Sequence, residues 1–199
     1  MKLARTKDSP LNVAHTEPNV MGILINELTD LLHNAPHDAR IVIVCVGTDR
    51  STGDALGPLV GSGLSKYRSL FFDLYGTLEQ PVHALNLNDT LQQIEKKTPN
   101  PFIIGIDACL GQVSSVGNIQ VGTGPVRPGA GVNKELPPVG NMHITGIVNV
   151  GGFMEYFVLQ NTRLHLVMHM ADVIACSLFS AVVQTVRSRS MNPPAVMQD

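Results

Sequence analysis

The sequence predicts an α/β protein, with helices covering both faces of a mostly parallel sheet. Two observations carry that prediction. The runs Arg40–Val46 (RIVIVCV) and Phe102–Ile106 (FIIGI) are continuous and apolar rather than alternating, the pattern of strands covered on both faces. Segments with helical spacing lie before and between them, which gives a β-α-β-α-β order and therefore an α/β sandwich.

Each element follows from its own residues. Residues 1–17 are polar and aperiodic and read as a flexible N-terminal tail. From Pro18, the residues Val20, Ile23, Leu24, Leu28, Leu31 and Leu32 recur at helical spacing until Asn34-Ala35-Pro36 ends the helix. The first strand stops at Gly47, and a glycine-bearing loop leads to a helix from Ala55 to about Ser69. Val82–Leu87 (VHALNL) reads as a shorter strand. A helix over Thr90–Lys97 follows, capped by Asn88 or Asp89 and broken by Pro99-Asn100-Pro101. The strand Phe102–Ile106 ends at Asp107, and Val116–Gly122 alternates weakly between glycines, as an edge strand would. Residues 122–141 hold five Gly and four Pro and read as a long surface loop, a kind that is usually functional or mobile. Ile147, Val150, Met154, Phe157 and Val158 share one helical face, interrupted by Gly151-Gly152. Thr162–Val167 reads as the last strand and Met170–Arg189 as a terminal helix, with residues 191–199 a C-terminal tail. No internal repeat or linker divides residues 18–190, so they read as one domain.

Composition bounds the function. A chain of 199 residues can bury a core without disulfides or metals to hold it. Net charge is −2 and no basic stretch exists to track phosphates, which argues against a nucleic-acid partner. Cys45, Cys109 and Cys176 lie in apolar runs without CxxC spacing and read as buried thiols of a reducing compartment. The basic N-terminus lacks an apolar run behind it, unlike a signal peptide. The longest apolar segment, Met168–Val186, contains His169, Asp172, Ser177, Ser180 and Gln184, and so reads as a buried helix rather than a membrane span. The expectation is a cytoplasmic protein with no membrane partner. Oligomeric state stays open, a homo-oligomer included.

The chemistry concentrates at two strand ends. In a parallel sheet, ligands bind beyond the carboxyl ends of the strands, where strand order reverses. If the first strand lies between the second and third, that crevice opens between the loop after Val46 and Asp107. The loop GTDRSTGDALGP fits neither the P-loop pattern nor GxGxxG, and its Asp49 and Asp54 would repel a phosphate. Asp54 is either a functional carboxylate or a helix N-cap, and the two roles can coexist. Asp107 ends a buried strand, where a carboxylate must be paired, solvated or metal-bound, or else bonded to loop amides at the rim. His143 is an ordinary loop histidine or a third ligand or proton carrier beside the two aspartates. Asp49, Arg50 and Gly53, on the same loop, are the expected substrate-contacting positions. His165 and His169 have i, i+4 spacing but no HExxH, and His15, His33, His37 and His83 carry no signal. No GxSxG surrounds a serine, and Cys109 lies between Ala and Leu, so covalent catalysis finds no support.

Three blocks resemble a known family: Gly47–Gly61 (GTDRSTGDALGPLVG), Gly105–Gly111 (GIDACLG) and His143–Phe157 (HITGIVNVGGFMEYF). They are similar to the YyaC-type sporulation proteins of spore-forming bacteria, over roughly residues 18–190. That family is similar to the spore germination protease, which degrades small acid-soluble spore proteins, and more distantly to the hydrogenase maturation endopeptidases. The resemblance implies a three-layer α/β/α fold with a mostly parallel five-stranded sheet. It implies catalytic roles for Asp54, within the matching Asp54–Pro58 (DALGP), and for Asp107. By the maturation endopeptidases it implies a divalent metal, zinc or nickel, at Asp54, Asp107 and His143. The chain is much shorter than a germination protease. Two functions follow as expectations: a sporulation-associated peptidase-like hydrolase acting on a protein or peptide substrate, and a non-catalytic binding or assembly module on the same fold.

Overall fold

The computed structural model describes residues 9–67, 70–129 and 136–191. Its elements run β1 (Leu11–Ala14), α1 (Val20–His33), β2 (Ile41–Cys45), α2 (Leu56–Ser65), β3 (Phe72–Tyr75) and α3 (Leu87–Lys97). They continue with β4 (Phe102–Gly111), β5 (Asn118–Thr123), β6 (Met142–Val150), α4 (Glu155–Gln160) and α5 (Leu164–Met191). Six strands form one sheet in the order β1-β5-β6-β4-β2-β3. β2 pairs in parallel with β3 and β4, and β4 with β6, while β5 runs antiparallel to its neighbours β1 and β6.

The three layers follow from residue parity along β2. Ile41, Ile43 and Cys45 face one core, shared with Leu24 and Leu28 of α1, Val60 and Leu64 of α2, and Ile174 and Leu178 of α5. Val42 and Val44 face the opposite core, with Leu87 and Ile94 of α3 and Val126 and Val139 of the long loop. All five residues of β2 are buried, as a strand covered on both sides requires. By length and hydropathy α5 could cross a membrane, but its buried Val167, Met170, Ile174, Leu178 and Val182 build the first core instead.

Several elements differ from expectation. The N-terminal segment read as a tail contains β1, which pairs with β5; four residues of Leu-Asn-Val-Ala are too short to display a period. β5 is consequently internal rather than an edge. β3 carries only four residues and its apolar signal is correspondingly brief. Val82 makes a single bridge to Val46, and the chain then turns into α3, so Val82–Leu87 is not a strand. The helical spacing after His143 dissolves into β6 and the short α4, because Ile144, Thr145, Ile147, Val148 and Val150 are β-branched and extended. Thr162–Val167 is not a strand either, since α5 begins at Leu164. The C-terminal tail from residue 192 lies outside the described residues.

Candidate active site

β2 lies between β3 and β4, so strand order reverses at the carboxyl ends of β2 and β4. The Val46 amide donates to the Ile106 carbonyl at 2.7 Å, which sets the loop after β2 directly beside Asp107. That loop is held by close backbone approaches that admit no side chain. A Cβ at Gly57 would strike the Val46 carbonyl, and one at Gly47, whose φ is 141°, would strike the Asp54 carbonyl. Local packing therefore fixes where Asp54 sits.

A cleft of about 280 Å³ opens there, and Asp54 and Asp107 both line it. Asp54 is not a helix cap: α2 starts one turn position later, with Ala55 at its N-cap and no side-chain cap bond. Its carboxyl is left for the cleft. Burial raises its pKa, while the Thr48 amide and the nearby His83 pull it back. Asp107 is 5 % exposed and accepts one hydrogen bond, from the Ala108 amide at 2.8 Å. Burial first, and the Asp54 charge second, hold its carboxyl well above the ordinary carboxylate range. Two carboxyls in one partly dry cleft cannot both ionise easily, and the deeper one is the harder to ionise.

The other expected positions divide. Arg50 lines the cleft, whereas Asp49 is exposed outside it. Gly53 is buried against α4, its amide donating to the Leu159 carbonyl at 2.9 Å, and does not line the cleft. His143 is also absent from the lining. It sits on β6 level with Gly105, and its Nδ1 hydrogen-bonds the Gly124 carbonyl at 3.0 Å. The set Asp54, Asp107 and His143 therefore does not converge, and among the described residues no three His, Cys, Asp or Glu are placed to hold a metal. The correction has a simple cause: His143 was expected in a loop before a helix, but it belongs to a strand and lies well below the rim.

Sequence reasoning missed His83, Arg127 and Tyr156, which all line the cleft. His83 enters because the Val46–Val82 bridge delivers it to the end of β2. Arg127, with Val126 and Leu136, comes from the long Gly/Pro loop, whose functional or mobile character was the one signal pointing to it. Tyr156 and Leu159 project from α4, a helix with no buried residue. Cys109 also lines the cleft, but burial pushes its thiol up to about 11, so it is a neutral group there and not a thiolate nucleophile.

Residues 12–177 match the family described as protein of unknown function DUF1256. The chain belongs to that family. It is 53 % identical over 181 residues to the uncharacterized protein YyaC of Bacillus subtilis, covering 91 % of this chain and 88 % of that one. It is also 29 % identical over 150 residues to the germination protease of Bacillus licheniformis, covering 66 % of this chain. The chain spans only 39 % of the protease's length. The DUF1256 match takes in β2, the loop with Asp54, and Asp107.

Proposed function

We propose that this protein is a sporulation-associated, peptidase-like hydrolase that cleaves a protein substrate with water as the nucleophile, in the cytoplasm of the sporulating cell or spore. The observation that carries the reading is a buried, harder-to-ionise Asp107 beside a more readily ionised Asp54 in one cleft at the sheet's reversal point. In that division of labour Asp54 accepts a proton from water as it attacks the peptide carbonyl. Asp107 donates its proton to the carbonyl oxygen; the proton Asp54 took from water then passes to the leaving amine while Asp107 recovers its own from a hydroxyl of the tetrahedral intermediate, which restores the pair. The surroundings suit a peptide. Arg50 and Arg127 offer charged donors, and the exposed Leu85 and Tyr156 offer apolar contact at the mouth. Similarity to a germination protease points the same way.

A second reading, a non-catalytic binding module, is favoured by one observation. Phe153, Met154, Tyr156 and Phe157 are all exposed around α4, and Phe153 is 93 % exposed, as on a surface that receives a partner. The experiment that separates the readings is cleavage of small acid-soluble spore proteins and of a sporulating-cell proteome, followed by mass spectrometry. The hydrolase reading expects defined fragments that disappear in the Asp54→Asn/Asp107→Asn double variant. No cleavage by the wild type, or equal cleavage by the double variant, leaves the binding module as the reading.

A further inference from the structure

His15, His165 and His169 take no part in the cleft and gather where the end of β1 meets the start of α5. His15 directly follows β1, while His165 and His169 lie one turn apart in α5. The backbone fixes the His15 ring first. Its amide donates to the Gly117 carbonyl at 2.9 Å. Gly117, with φ 90°, sets no side chain against the ring: a Cβ there would strike Cδ2 and crowd Nε2. That edge of the imidazole lies on Gly117, and the opposite nitrogen faces α5. There Nδ1 of His15 meets Nδ1 of His169 at 2.7 Å, with ring centroids 4.9 Å apart and planes at 69°. The His165 ring is 6.3 Å from that of His169. His15 is half-buried and both α5 histidines are exposed, so the pair can be reached from solvent.

Two facing Nδ1 atoms can share a proton or share a metal ion. In the hydrogen bond one Nδ1 carries the proton and the other accepts it. With that proton on Nε2 instead, both Nδ1 lone pairs are free and the charge is unchanged. Imidazole nitrogen is a good ligand for late first-row divalent metals. Two nitrogens bound at right angles through bonds of ~2.0–2.1 Å stand ~2.8–3.0 Å apart, whereas tetrahedral positions need ~3.3–3.4 Å. The observed 2.7 Å is nearer the first, so the pair suits tetragonal copper(II) or nickel(II) better than tetrahedral zinc. As the rings stand, His165 is too far away to share the ion, and among the described residues no third His, Cys, Asp or Glu joins the pair. The partner of His169 is therefore not its helical neighbour but a histidine 154 residues away.

We propose that His15 and His169 form a two-histidine site for a copper(II)- or nickel(II)-type divalent cation, which staples β1 to α5. Water fills the remaining positions on the ion. β1 is an outer strand of the sheet and pairs with β5 through only four residues, so a link from its end to a core helix has something to hold. The nitrogen ligands select against magnesium and calcium, which take oxygen. The site is independent of the Asp54–Asp107 cleft and of any reaction there.

Calorimetric titration of the full chain with Ni²⁺, together with electron paramagnetic resonance of the Cu²⁺ form, tests this. The copper spectrum should show two imidazole nitrogens on one ion. Affinity should fall by at least about tenfold in His15→Gln and in His169→Gln, because either change leaves a single ligand and removes the chelate. His165→Gln and the Asp54→Asn/Asp107→Asn double variant should bind within about twofold of the wild type, their side chains lying apart from the ion. Ni²⁺ should raise hydrogen-exchange protection at β1 in the wild type and not in His169→Gln, and Mg²⁺ should do neither. His169 is on the exposed face of α5, so its variant keeps the fold even if His15→Gln loosens β1. Unchanged affinity in His169→Gln or an equal loss in His165→Gln would overturn the proposal. So would a loss in the aspartate double variant, or binding that leaves β1 no better protected.

Discussion

Gly57, in the first turn of α2, lies against the carbonyl of Val46 at the end of β2, with no room for a Cβ between them. This approach presses the Asp54 loop onto the sheet's reversal point. Gly57→Ala would have to displace backbone rather than a flexible side chain. A destabilisation of about 1–3 kcal/mol is expected, as for overpacking elsewhere. Urea denaturation would measure it, and an unchanged midpoint would mean that the helix can shift without strain.

Asp107 has a separate thermodynamic consequence. Its folded-state pKa is raised, so between the ordinary carboxylate pKa and the folded value the unfolded chain holds fewer protons there than the folded one. Its contribution is fully favourable below the ordinary carboxylate pKa and is lost as pH rises toward the folded value. Asp107→Asn removes that penalty, so the variant should melt no lower than wild type at neutral pH, with its relative advantage growing as pH rises from the ordinary carboxylate pKa toward the folded value. Thermal melts across that range are the measurement. A variant less stable than wild type by the same margin at every pH would show that the carboxyl's hydrogen bond to Ala108 outweighs its desolvation.

The N-terminal strand is tied to α5 by His15 and His169, whose Nδ1 atoms lie 2.7 Å apart. Burial, followed by His169 and His165, lowers the pKa of His15. A histidine depressed in the folded state binds more protons when unfolded, so this contribution is present above the ordinary value of ~6.5 and is lost as pH falls through the folded one. Hydrogen-exchange protection factors at β1, with the intrinsic slowing of exchange divided out, should therefore fall on acidification, and His169→Gln should flatten that dependence. Equal pH dependence in the variant would rule out the histidine pair as its source.

His143 offers a test of what does not belong to the cleft. His143→Ala removes the hydrogen bond to the Gly124 carbonyl and should cost about 1 kcal/mol of stability. It should leave cleavage of spore proteins unchanged, because the ring lies outside the cleft lining. A loss of cleavage comparable to that of Asp54→Asn would place His143 in the site after all.

Single-variant effects on cleavage are expected to be large and non-additive. Asp54→Asn and Asp107→Asn should each lower turnover by at least ~100-fold, the usual scale for losing a general acid or base. The double variant should be little worse than either, because each substitution disables the same unit. Near-additive losses would assign the two carboxyls independent roles.

The residues alone determined the α/β class, the buried strands β2 and β4, and the placement of Asp54 and Asp107 toward their carboxyl ends. Continuous β-branched runs, helical spacing and a carboxylate that closes an apolar strand are local signals, readable within ten residues. The tertiary structure decided the rest. β1 exists because β5 offers it an edge, β6 because β4 and β5 flank it, and neither pairing is written in a window of its own residues. The helical spacing from Ile147 to Val158 misled for the same reason: a strand, a Gly-Gly turn and a short helix placed apolar residues at intervals that a single helix would also produce. The identity of the cleft's histidine was equally out of reach. His83 and His143 look alike in sequence, and only the Val46–Val82 bridge and the ladder between β4 and β6 bring one to the rim and hold the other below it. Side chains separated along the chain converge only through backbone pairing, a long-range property that sequence spacing does not encode.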